Sequence, residues 1–135
     1  MNHIMNKQPY CDNIEKLTIE NADFRRVLYT APHSQLVLMS LLPGEDIGAE
    51  VHHVDQFFRF EAGEGKAVID GREYPVGNGI AVLVPAGSEH NIINTGSESL
   101  KLYTVYAPAN HIDGRVHHTK ADAVADTEDE EAGPK

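Results

Sequence analysis

The chain carries a single cysteine, Cys11, so no internal disulfide can form and nothing in it calls for an oxidising compartment. Long apolar runs are missing too. No stretch approaches the roughly 20 apolar residues that a membrane-crossing helix needs, and residues 1–20 hold no apolar core of signal-peptide length. Positive charge is scarce, with 11 Lys and Arg against 21 Asp and Glu and a formal net charge of −10 at pH 7. A nucleic-acid partner requires a basic face to neutralise phosphates, and an anionic membrane surface would repel this chain. Together these absences lead us to expect a cytoplasmic protein with neither nucleic acid nor membrane as partner.

What is present suits one compact domain, since 135 residues fall within the usual domain size of about 100 to 150. Hydrophobic residues make up 41% and charged residues 24%, and seven prolines with eleven glycines imply many turns. From Phe24 onward short apolar runs alternate with turn residues at fairly even spacing, the pattern of an all-β sandwich or barrel. Strands are expected at 24–30, 35–42, 50–52, 56–61, 66–69, 73–76, 80–84, 90–94 and 100–106, with no segment of helical period between them. Pro43-Gly44 ends the second, and Asp70-Gly71 joins the fifth to the sixth as a type I′ hairpin.

Short helical turns flank the barrel. Asp12 with Glu15 reads as a cap for residues 13–17, and Thr119 with Asp122 as a cap for 120–125. Between residues 119 and 135 six acidic side chains (Asp122, Asp126, Glu128, Asp129, Glu130, Glu131) stand against two lysines, which predicts a solvated, disordered end. The expected division is therefore an N-terminal segment 1–23, a barrel 24–121 and an acidic tail 122–135.

The chemistry concentrates in two places. Residues 79–94 read GIAVLVPAGSEHNIIN, where Pro85 can end a strand, Gly87 can take an unusual turn conformation and His90 can open the next strand with its imidazole inward. These residues match the pattern G-x5-P-x-G-x2-H-x3-N at every fixed position, and in this the chain resembles the cupin superfamily, over about residues 24–121. It is similar to small single-domain bacterial cupins and, in its metal site, to quercetin dioxygenase-like members. The superfamily's other motif, G-x5-H-x-H-x3-4-E-x6-G, occurs in altered form between Pro43 and Gly65. Counting back from Gly63 puts Gln56 where the family has glutamate, His52 at its second histidine and Glu50 at its first.

The resemblance implies a double-stranded β-helix, or jelly roll, that holds one divalent metal through Glu50, His52, Gln56 and His90. Strand geometry agrees, because residues two apart share a face, so Glu50 and His52 look inward while Val51 and His53 look out. A one-residue slip of register would exchange His52 for His53. Such an oxygen and nitrogen donor set without thiolate suits iron, manganese, nickel or zinc. One carboxylate on a divalent ion leaves a net positive centre that favours an anionic or enolate-like ligand. Gln56 cannot act as a base, which leaves Glu50 as the candidate catalytic group.

Phe58, Phe60 and Tyr106 are expected to line a substrate pocket. His111, His117 and His118, which follow the barrel, read as surface or subunit contacts. Arg59 is expected outside, paired with Glu61 or with an opposing strand, while Asn91 and Asn94 satisfy local backbone, and no cationic anchor for a phosphate is evident. The resemblance implies three functional classes: a metal-dependent, dioxygenase-like enzyme acting on a small oxygenated substrate; a sugar or uronate isomerase or ring-opening enzyme; or a binding module without turnover. It also implies a homodimer, because isolated barrels leave strand edges exposed.

Overall fold

The computed structural model describes residues 8–134. The first seven residues of the expected N-terminal segment, and Lys135, lie outside it. After a short helix α1 (Ile14–Glu20) come β1 (Arg25–Thr30), β2 (Gln35–Leu41), β3 (Glu50–Val51), β4 (Asp55–Ala62), β5 (Glu64–Ile69), β6 (Arg72–Gly77), β7 (Ala81–Val84), β8 (Glu89–Asn94) and β9 (Leu100–Ala107). A two-residue strand β10 (Val116–His117) and helices α2 (Lys120–Ala125) and α3 (Thr127–Glu131) follow. The strands form two antiparallel sheets, a six-stranded one ordered β10-β1-β2-β9-β4-β7 and a four-stranded one ordered β3-β8-β5-β6. This is the expected all-β jelly roll.

The core lies between the sheets and follows from period-2 alternation along three strands. On β4 the buried row is Gln56, Phe58 and Phe60, on β9 it is Leu100, Leu102, Thr104 and Tyr106, and on β8 it is His90, Ile92 and Asn94. Phe58 and Phe60 are wholly buried and stack at 6.4 Å, each contributing about 1.5–3 kcal/mol by leaving water. The register sets Phe60 opposite Leu102 and Gln56 opposite Tyr106. The β4 and β9 rows thus run from apolar at one end of the sandwich to polar at the other. That polar end carries the site.

The Asp70-Gly71 hairpin forms as expected, with φ of 49° and 84° and Ile69 facing Arg72. The β4–β5 corner depends on Gly63. Its φ of 89° lies in the left-handed region, and a Cβ there would meet the Ser99 carbonyl oxygen at 2.6 Å and the Leu100 Cα at 2.9 Å.

Three expectations need correction. The first helix runs to Glu20 and is capped by Asn13, whose side chain accepts the Lys16 N–H, whereas Asp12 accepts only the N–H of Asn13. Strand β10 was not foreseen: it is two residues long and exists by pairing with β1, His117 against Arg25. The acidic end contains α3 in place of a disordered tail, because Asp126 caps it and Asp129 finds buried partners. The capping box of Thr119 and Asp122 on α2 is as read.

Gly63→Ala should lower stability by about 3 kcal/mol, from left-handed strain together with overpacking against backbone. Urea denaturation measures this, and a loss below about 1 kcal/mol would contradict the account.

Candidate metal centre

Three strands bring the four expected ligands to the polar end. Glu50 on β3 pairs with His90 on β8, His52 follows β3 directly, and Gln56 begins the inward row of β4. Glu50 and His52 are partly buried, while Val51 and His53 between and after them are exposed, so the register places His52 inward. The His52 and His90 rings lie 5.3 Å apart, and His52 Nε2 is 2.7 Å from Glu50 Oε2. Two donors about 2.1 Å from one ion at right angles would lie about 3 Å apart, so this pair already stands at nearly the spacing of adjacent ligands.

The sharper observation concerns atoms without partners. His90 is buried at 2% exposure, and its Nδ1 donates to the Ser88 carbonyl at 3.2 Å. That bond leaves the lone pair on Nε2, and Nε2 is buried with no hydrogen-bond partner among the described residues. Gln56 is 1% exposed; its Nε2 donates to Thr104 Oγ1 at 3.0 Å while its Oε1 is likewise buried and unpartnered. A buried acceptor left unpaired costs about 1–3 kcal/mol. Two such acceptors at the same end of the sandwich as a histidine–carboxylate pair suit a cation in their chemistry, while Glu50, His52 and His90 do not form a group with all ligand atoms within 4.8 Å of one another.

Electrostatics agree. Burial lowers the His90 pKa and favours the neutral, ligating imidazole, more than the Ser88 bond raises it. Burial works to raise the Glu50 pKa, but the hydrogen bond and charge of His52, with Arg25 and His111 beyond, hold it below the ordinary value, so the carboxylate is ionised.

A cavity of about 480 Å3 opens beside Glu50 and His52, and His90 and Gln56 do not line it. That volume suits a small molecule. Glu50 and His52 form part of its wall with Arg25, His111, Lys120 and Asp129. Phe58, Phe60 and Tyr106 do not line it. The two phenylalanines are wholly buried beneath the site, where Phe58 meets the His90 ring edge-on at 6.0 Å. Tyr106 faces inward, unlike Tyr103, but lies 2% exposed behind His52, ring to ring at 5.8 Å.

His111 and His117, expected at the surface, are buried. His111 Nε2 accepts from the Tyr106 hydroxyl at 3.1 Å, and its Nδ1 donates to Asp129 Oδ2 at 2.7 Å. Asp129 Oδ1 takes the Ile112 N–H at 2.7 Å. His117, Asp126 and Asp129 place ligand atoms within 4.8 Å of one another, but protein donors already hold the carboxylates: Arg115 and His117 on Asp126, His111 and Ile112 on Asp129. We read this cluster as a clasp that fastens the C-terminal segment over the cavity. His118 is exposed and bonds Asp23.

The remaining expectations divide. Arg59 pairs with Glu61 at 3.4 Å, and Asn94 binds the Leu41 and Glu98 carbonyls, as read. Asn91 instead donates to the Asp46 carboxylate, which also receives Lys120. Arg25, His111 and Asp129 were missed. Alternation along β1 could have found Arg25, which shares the buried face with Val27. No local pattern joins His111 to Asp129.

A model of the cupin domain matches residues 37–106, more than half of the chain. The chain belongs to the cupin domain family. This cupin is 49% identical over 125 residues to the uncharacterized protein YrkC of Bacillus subtilis, covering 87% of this chain and 67% of that one. It is 42% identical over 114 residues to the uncharacterized protein L612 of Acanthamoeba polyphaga mimivirus, covering 81% and 71%. The crystal structure of BH2720 from Bacillus halodurans superposes with a TM-score of 0.85 at 47% identity, over 87% of this cupin and 95% of that chain.

The clasp predicts a pH dependence. Burial works to raise the Asp129 pKa, yet the His111 bond and charge hold it below 3.8, and burial holds His111 below 6.5. In both cases the unfolded chain takes up protons first as pH falls. Stability is therefore full above about pH 6.5 and lost progressively on acidification through the two folded values. Urea midpoints should decline from about pH 7 to pH 3, and Asp129→Asn should make the decline below pH 4 shallower.

Proposed function

We propose that this cupin holds one divalent transition metal, iron, manganese, nickel or zinc, through Glu50, His52, Gln56 and His90, and acts as a metal-dependent, dioxygenase-like enzyme on a small oxygenated substrate. The observation that carries the reading is the buried Nε2 of His90, unpartnered among the described residues, with Gln56 Oε1 in the same condition. Held by these residues, a metal would supply a Lewis acid. The chain's own residues do the rest. Ser88 fixes the His90 tautomer and Thr104 holds the Gln56 amide with its oxygen free. Glu50 balances part of the added charge and is the side chain among the four able to take a proton from a ligand. Phe58, packed edge-on against His90, keeps water from the ligand's buried side.

An isomerase of the enediolate kind is the second reading, favoured by the neutral amide of Gln56 among the ligands; solvent deuterium in the product would distinguish it. We also propose a cytoplasmic homodimer. It is supported by β7 standing at the edge of the six-stranded sheet with Leu83 68% exposed. Light scattering of the purified protein reads the assembly.

Elemental analysis of purified wild type should find about one metal per chain, and His90→Ala should lose at least about tenfold in metal affinity. A wild type without metal would refute the reading. Oxygen uptake that survives His90→Ala would remove the oxygenase assignment while leaving the metal site standing.

A further inference from the structure

Arg25 is the one buried Lys or Arg among the described residues. Arg26, Arg59, Lys66, Arg115 and Lys120 each meet a carboxylate within 4.0 Å. Arg25 meets none among the described residues, although it is 8% exposed. Its NH1 has one long contact, 3.5 Å to Nδ1 of the neighbouring His117, and its Nε is buried without a partner. The guanidinium also sits over the Phe24 ring at 5.3 Å, which holds its plane. A guanidinium carries five N–H donors in a fixed fork, and burying it unpaired is costly. It nevertheless lines the cavity that Glu50 and His52 line.

We propose that Arg25 is the anchor of the substrate, binding a carboxylate of a small organic acid whose other oxygen functions face the metal ligands. This rests on the proposed metal centre and names the class of molecule it would act on. The planar fork matches a carboxylate through two parallel hydrogen bonds. A phosphate fits less well, because Lys120 on the same wall is taken by Asp46 at 2.5 Å, and Glu50, Asp129 and Glu130 face the same space. Among the described residues Arg25 is the cation on this wall without a carboxylate partner, and one such cation among carboxylates suits a carboxylate group, with its single charge, better than a phosphate.

The test titrates metal-loaded protein with malonate, with malonamide as its uncharged twin, and with inorganic phosphate. Malonate should bind wild type, while malonamide and phosphate should bind at least about tenfold more weakly. Arg25→Gln should weaken malonate by about tenfold or more while keeping its metal, with Arg25→Lys between the two. Failure of malonate to bind the metal-loaded wild type, equal binding of malonamide, tighter binding of phosphate, or full affinity in Arg25→Gln would each overturn the anchor. A crystal structure of the wild type with malonate keeps the question answerable if Arg25→Gln does not fold: a carboxylate paired with the guanidinium supports the anchor, and a carboxylate turned away refutes it. The metal reading fails separately. Malonate affinity that survives chelation of the metal but still falls in Arg25→Gln supports the anchor alone.

Discussion

The organisation of this cupin turns on the cost of burying a lone pair that nothing satisfies. His90 Nε2 and Gln56 Oε1 are closed off from water at the end of a row of apolar side chains. Their neighbours are spent holding other atoms of the same residues. Ser88 takes the far nitrogen of the imidazole and Thr104 takes the amide nitrogen. Such bonding orients a side chain without quenching it, which is how ligand-holding residues are prepared in advance of the ion. The strands make this possible by being rigid on the apolar side, where Phe58 and Phe60 pack, and polar in the last step of the same alternation.

Around that centre two further networks set the cavity. The clasp from His111 through Asp129 to the Ile112 amide brings α3 over the mouth, and Lys120 with Asp46 and Asn91 ties α2 to the loop before β3. Each carboxylate in these networks has at least two donors. Arg25 stands between them with an open fork. The contrast is informative, because among the described residues this one buried guanidinium has no carboxylate within 4.0 Å, although its charge helps to hold the Glu50 pKa down.

Legibility in the sequence followed the range of the interactions. Strand positions along the chain and the Asp70-Gly71 hairpin come from local alternation and backbone preference, which a short window reveals. The placement of Glu50 and His52 inward also follows from period two, and the motif around His90 is contiguous. What could not be read depends on partners distant in the chain: His111 and Asp129 are 18 residues apart, and His117 is 92 residues from Arg25. The acidic run in residues 126–131 looks solvated by composition, yet one member, Asp129, turns inward because a buried imidazole and an amide meet it. Phe58 and Phe60 were misplaced for the opposite reason. Alternation correctly turned them inward, but it says nothing about depth, and they lie below the cavity floor.

The roof of the cavity has a consequence of its own. The four proposed ligands come from residues 50–90, whereas much of the cavity wall comes from residues 110–134, joined by Phe24, Arg25 and Ile47. The proposed metal centre is thus written in a different stretch of the chain from much of the wall around it. A relative could keep the four proposed ligands and still present a different cavity by exchanging its last two dozen residues, so the proposed centre and the wall around it can vary independently.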